Sequence, residues 1–435
     1  MLLRLRLRSV IESRSSGLLG QRDDWAWWSR IRASLIAVAI VGLAVPTALS
    51  VPTPALAQDR QFAYVTNSDS DTVSVIDVAT NTVTNTITVG DNPQGVAISP
   101  DSTRAYVVNG GDDNVSVIDT ATGTVIATVG VGDFPFGVAV SPDGTRVYVT
   151  NYLTNDVSVI DAASNTVINT IQVEQNPVGV VFTPDGTRAY VANSGGTTVS
   201  VINVASSTVI DSVTVQSNPA GLDITPSGAF VYATNLNSDS VSVINTATNT
   251  AIATILVGLN PVGVAVSLDG TRAYVTCSLS NAVFVIDTAT NTVINTIQVG
   301  GSPVGVAVSR DGTRVYVANQ VNDNVSVIST ATNAVTNTIT VGDTPFDVAF
   351  GQFEGQAPVP GGRGKRRSDQ NTTDRSPSRR PDEFTRQDRE PRMSARHDRH
   401  TRHRGGNNSY TGYSGSHIDA EILFQDRPSK KRRSR

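Results

Sequence analysis

Residues Phe136 to Val173 read FGVAVSPDGTRVYVTNYLTNDVSVIDAASNTVINTIQV, and most of the chain consists of near-copies of that stretch. A tyrosine marks the register, recurring at Tyr64, Tyr106, Tyr148, Tyr190, Tyr232, Tyr274 and Tyr316 at a constant spacing of 42 residues. A period this strict means stacked supersecondary units. Within each unit the apolar positions alternate with period two and β-branched residues dominate, which predicts strands. Four are expected in this copy: Phe136 to Val140, Arg146 to Asn151, Asp156 to Asp161, and Thr166 to Val173. The joints have turn chemistry. Pro142-Asp143-Gly144 suits a tight hairpin, because Asp bonds its own backbone and Gly accepts positive φ. Asn165 serves the last hairpin, where Asn81, Gly123, Asn249, Asn291 and Asn333 stand in other copies.

The strand GVAV (Gly137 to Val140) alternates small residues with Val, which suits burial between neighbouring sheets. A four-stranded antiparallel sheet repeated radially is a propeller blade. The array opens at Phe62-Ala-Tyr-Val, a second strand without its first, and ends at Phe346-Asp-Val-Ala-Phe, a first strand without its successors. Joining those ends completes a blade from one C-terminal and three N-terminal strands. The expected fold is therefore all-β: a closed seven-bladed β-propeller over residues 58–352. Closure removes the exposed edge of an open array.

Three elements of the repeat now carry a resemblance. Tyr-Val-Thr-Asn (Tyr64 to Asn67, Tyr148 to Asn151), Pro-Asp-Gly-Thr-Arg (Pro142 to Arg146, Pro184 to Arg188) and Val-Ser-Val-Ile-Asp (Val73 to Asp77, Val115 to Asp119, Val157 to Asp161) resemble the YVTN family of β-propeller repeats. The resemblance implies the propeller fold. It also brings a spread of roles, from exported bacterial propellers and archaeal surface-layer proteins to lactonase-like propellers, because the shared residues build blades and not sites.

Composition divides the chain into three. Residues 1–57 carry 7 Arg against 3 acids, residues 58–352 carry 7 Arg against 24 acids, and residues 353–435 carry 20 Lys and Arg against 11 acids. The apolar run Ala33 to Val45 is flanked by Arg30 and Arg32, has signal-peptide length, and is followed by Ala55-Leu56-Ala57. A signal peptide with cleavage after Ala57 is expected, the alternative being a retained N-terminal anchor. On either reading the repeats are exported, to the periplasm, the cell surface or the medium. The segment 353–435 is poor in apolar residues, predicts a disordered basic tail, and ends KKRRSR. Export speaks against nucleic acid as its partner and favours an anionic envelope component. The single Cys277 excludes an intrachain disulfide, and a buried, unreactive thiol is expected.

Strand order sorts the loops onto two rims. Arg60, Arg104, Arg146, Arg188, Arg272, Arg310 and Arg314 all fall at the first–second turns, beside Asp101, Asp143, Asp185, Asp269 and Asp311, and local Asp–Arg pairing is expected there. The opposite rim carries Asp69, Asp71, Asp91, Asp112, Asp113, Asp133, Asp156, Glu174, Asp239, Asp323 and Asp343 with no Lys or Arg. A one-signed face attracts a basic or cationic partner and repels polyanions. Solubility alone, and weak calcium binding in loops such as Asn67 to Asp71 or Asn109 to Asp113, are the other readings; those loops lack a regular calcium-ligand spacing. Phe134, Phe136, Tyr152, Leu153 and Phe346 add apolar bulk near this rim, framing a pocket or plugging the channel mouth.

Two acids break the inner-strand pattern. Asp347 replaces the glycine of Gly95, Gly137, Gly179, Gly221, Gly263 and Gly305, and Asp223 replaces a small apolar residue such as Ala97 or Ala139. Either is a candidate general base if burial raises its pKa; hydration or bonding to backbone is the alternative. Positions 58–396 contain no His, and the array over 58–352 contains no Trp or Lys, which removes imidazole catalysis, haem ligation and Schiff-base chemistry from the array. The reading favoured is a non-enzymatic binding or adhesion scaffold without a cofactor, and the alternative is a lactonase-like hydrolase or lyase using Asp223 or Asp347.

Overall fold

A computed structural model of the chain describes residues 60–353, so the expected signal peptide and basic tail lie outside the described residues. Seven four-stranded antiparallel sheets follow one another as blades, and inner strands of consecutive blades touch all the way round, the seventh meeting the first. The first blade is composite: Pro345–Phe353 lies inside Arg60–Asn67, with Ala349 opposite Tyr64, and Thr72–Asp77 and Thr82–Thr88 complete it. Blades two to seven follow in chain order from inner strands that begin at Pro93, Pro135, Pro177, Pro219, Pro261 and Pro303. In the third blade the strands are Pro135–Val140, Arg146–Asn151, Asp156–Asp161 and Thr166–Gln172, each end within one residue of expectation. Among the described residues no helix is long and apolar enough to cross a membrane.

The core is seven wedges, each shared by two blades. Tyr106 of the second blade, for example, packs with Val147, Val149 and Ile160 of the third. All seven repeat tyrosines are at most 1% exposed. Three of their hydroxyls bond to the next blade: Tyr190 donates to the Asn249 side-chain oxygen at 2.8 Å, Tyr232 to Asn291 at 3.1 Å, and Tyr316 to Asn81 at 2.7 Å. Those asparagines hold the left-handed turn of the outer hairpin, as do Asn165, Asn333, Gly123 and the unanticipated Ser207. The motif threonine is also an inter-blade latch. Thr150 accepts the Gly137 N–H and donates to the Val178 carbonyl of the next inner strand at 2.6 Å. The inner glycines allow that approach, since a Cβ on Gly137 would stand 2.1 Å from the Val178 oxygen.

Every blade carries the same irregularity between its third and outermost strands, where one extra residue (Thr84, Ile126, Ile168, Ile210, Ile252, Ile294 or Thr336) bulges out. A bulge twists an edge away from foreign strands. That protection matters here because the outer strands hold almost no charge.

Candidate functional site

The arginine rim is built differently from expectation. Arg60 with Asp77 is the ion pair among the described residues. Arg104, Arg146, Arg188, Arg272 and Arg314 instead donate to a backbone carbonyl in the outer hairpin of the next blade: Ala162, Val204, Thr246, Thr330 and Val78 respectively. The adjacent turn aspartates have closer donors. Asp143 accepts from the Ser141 hydroxyl at 2.6 Å and from the Thr145 N–H at 3.0 Å. Hydroxyls at Ser99, Ser141, Thr183 and Ser267 lead the effects that hold Asp101, Asp143, Asp185 and Asp269 below the usual carboxylate range. The local Asp–Arg pairing expected here gives way to hydroxyl and N–H donors closer to each aspartate, which leaves the guanidinium to bridge to the next blade.

On the acidic rim several candidates hold the loops themselves. Asp71, Asp113 and Asp239 take left-handed φ of 54°, 54° and 46°, and their carboxylates accept the N–H of Asn92, Phe134 and Asn260. Asp112 accepts the Asp91 N–H, Asp69 accepts the Thr344 hydroxyl, and the buried Asp156 accepts the Asn151 amide at 2.6 Å. Asp133 and Asp343 are exposed. Asp91 titrates above the usual carboxylate range, through partial burial first and then the charges of Asp71 and Asp112. No group of three or more His, Cys, Asp or Glu placed to hold a metal ion occurs among the described residues, so the calcium expectation gains no support.

The aromatic candidates separate into two sets. Phe134 and Tyr152 meet edge-on at the rim, ring centroids 6.1 Å apart. Phe134 sits at φ 51°, uncommon for so bulky a residue. Phe136 and Phe346 meet edge-on at 5.3 Å although their blades are not neighbours. They belong to one layer of inner-strand side chains, Gln94, Phe136, Val178, Ala220, Val262, Val304 and Phe346, all buried. That layer stoppers the channel at the acidic rim, which favours the plug over a pocket for Phe136 and Phe346.

Asp347 and Asp223 lie on inner strands of the first and fifth blades, past the stopper. Asp347 accepts the N–H of Val348 at 2.8 Å and of Val96, in the next inner strand, at 3.1 Å. Asp223 repeats the arrangement with Ile224 at 2.8 Å and Val266 at 2.6 Å. Each carboxylate thus stitches two strand edges that would otherwise offer bare N–H groups to the channel. Burial pushes both up to about 6, opposed by those two N–H bonds.

One feature passed unmarked in the sequence. Between the third and fourth blades the rim opens into a cleft of about 380 Å³, lined by Asn155, Val173, Glu174, Gln175, Asn193, Gly195 and Gly196. Glu174 is held there by hydroxyls of Thr198 at 2.7 Å and Ser212 at 2.6 Å. The signal available was Glu174 itself, standing where five sibling copies have Gly90, Gly132, Gly258, Gly300 and Gly342.

The fold and its inter-blade latches define a closed β-propeller built from sequence repeats. Within that class the repeats are similar to the YVTN type, and the YNCE-like beta-propeller family model matches residues 24–142. The Choice-of-anchor I domain model matches residues 153–304. PE-PGRS family protein PE_PGRS18 of Mycobacterium tuberculosis (strain ATCC 25618 / H37Rv) is 68% identical over 37 residues, which is 8% of this chain and 8% of that protein. Among solved structures, a functionally unknown protein from Desulfotomaculum acetoxidans DSM 771 is similar with a TM-score of 0.60 and 18% identity, over 66% of this chain and 98% of that one. A putative 6-phosphogluconolactonase from Bacteroides uniformis ATCC 8492 gives 0.59 and 19%, over 67% and 100%. At those identities the likeness is one of fold.

Proposed function

We propose that the protein is an exported, non-enzymatic binding scaffold that takes a basic or cationic partner on its acidic rim. The observation that carries this reading is a loop face free of Lys and Arg, closed beneath by the buried stopper, so that ligands meet a surface and not a passage. The signal-like segment and the Choice-of-anchor I match over 153–304 support export or surface display. The basic tail is proposed to tether the propeller to an anionic envelope component.

The test is retention of the full-length chain, and of a chain ending at Pro360, on immobilised polylysine and on envelope polyanions across a salt series. Polylysine should retain both chains at low salt, and the envelope polyanion only the full-length one. Polylysine retention indifferent to salt would remove the rim reading, and equal polyanion retention of both chains would remove the tether. A second reading, lactonase-like hydrolysis, is favoured by one observation: two channel carboxylates raised to about 6. It requires that Asp347→Gly and Asp223→Ala abolish turnover of a lactone substrate while the ring stays folded.

A further inference from the structure

The geometry points to the cleft between the third and fourth blades as a receptor for one lysine or arginine side chain of a basic polypeptide. This rests on the rim reading above and narrows it to a place.

The cleft exists because two positions depart from their siblings together. A Cβ on Gly90, Gly132, Gly300 or Gly342 would come within 2.7 Å of the side-chain amide carbon of Asn109, Asn151, Asn319 or Asn67 in the following blade. In those copies the glycine lies flat on the asparagine and roofs it. Glu174 has a Cβ and its side chain turns instead to the Thr198 and Ser212 hydroxyls, with Asn193 among the residues lining the cleft beneath. Asn193 is 0% exposed, and its side-chain oxygen has no hydrogen-bond partner while its NH2 is taken by Thr198 and Ser200. Bare oxygens also occur at Asn67, Asn109, Asn151, Asn235 and Asn319, which makes the bare acceptor a property of the repeat; in the fourth blade it floors an open cleft. The fifth blade, where Gln216 also replaces the glycine, fills the corresponding loop with the buried Leu236.

The second departure is Gly196. Five of its six siblings, Ser70, Asp112, Ser238, Ser280 and Asn322, each accept an N–H from the connection 21 residues earlier in blade order, at Asp343, Asp91, Ser217, Leu259 and Gly301, while the Thr154 hydroxyl does not. Gly196 has no side chain to do so, and the Gln175 N–H loses that partner. The cleft therefore presents a fixed carboxylate, a buried amide oxygen and a backbone N–H. A cation bearing several N–H donors answers the first two, and a carbonyl oxygen beside it answers the third. A basic residue within a peptide carries both. Among the described residues, no Lys or Arg lies on this rim to compete.

The experiment titrates full-length protein with the Nα-acetyl amides of arginine, lysine and citrulline, read by calorimetry. Saturable binding of the charged pair is expected, with the uncharged citrulline at least ten-fold weaker. Glu174→Gly and Gly196→Ser, which install sibling residues and so keep the fold, should each weaken binding ten-fold or more without lowering the melting temperature. Asp287→Asn, in an outer hairpin on the opposite rim, should leave it unchanged. Absence of saturable binding, or full binding by Glu174→Gly, overturns the pocket. If polylysine retention stays salt-sensitive in that event, the rim reading survives alone; if that retention is missing too, both fall.

Discussion

On the arginine rim, five of the seven blade junctions repeat one device, a guanidinium on the next blade's carbonyl. On the acidic rim no two of the second–third loops carry the same four residues, from Ser68-Asp-Ser-Asp71 to Gln320-Val-Asn-Asp323. Repetition marks what the ring needs at every junction, while variation marks what one junction does alone. The contrast has energetic content: positions the copies share should be costly to change, and positions where they differ should be cheap to change in stability yet decisive for binding.

The largest effect expected is at a shared core position. Tyr148→Ala removes a fully buried ring whose centroid is 4.7 Å from that of Phe182, and should cost about 3–5 kcal/mol in denaturant unfolding. A cost under 1 kcal/mol would mean the wedges are not the core. Next come Asp223 and Asp347. A folded-state pKa raised to about 6 contributes stability that is full below the unfolded value near 4 and is lost as pH rises through about 6. Unfolding free energy, and with it the melting temperature, should therefore climb as pH falls from 7.5 to 5, by roughly 1.4 kcal/mol per group, and Asp223→Asn with Asp347→Asn should flatten the climb. The turn carboxylates Asp101, Asp143, Asp185 and Asp269 have the opposite sign. Their lowered pKa values support the fold above about pH 4 and fail below it, so stability should turn over there.

Smaller effects sharpen the same contrast. Arg188→Ala leaves the Thr246 carbonyl without its guanidinium and should cost about 1–2 kcal/mol, with Arg188→Phe milder because Phe62 and Phe230 occupy this slot in sibling blades. Equal loss from both would show that bulk is irrelevant at the junction. The smallest is Cys277→Asn, which restores the shared residue and should move stability by less than about 1 kcal/mol. The native thiol, pushed up to about 12 by burial, should resist a thiol reagent until the protein unfolds.

The blade was legible because its determinants lie within one period. Period-two apolarity placed Arg146–Asn151 and Asp156–Asp161 residue for residue, and the phase of the two ends placed the composite blade. Contacts between blades were not, since they join residues 21 or more positions apart in ways that no local pattern encodes. Arg146 meets Val204, and Asp223 meets Val266, only once the ring's curvature brings them together. The cleft was half-visible: Glu174 announced itself among glycines, but its meaning depended on the asparagine below it.

The composite blade has a consequence for how the molecule comes into being. A chain emerging from its N-terminus forms blades two to seven before the first has its innermost strand, because Pro345–Phe353 is the last part of the array to be made. Until then Arg60–Asn67 waits as a raw sheet edge. A message cut short before Pro345 would thus yield six finished sectors and one gaping one, a product open to foreign strands where the full-length protein is sealed.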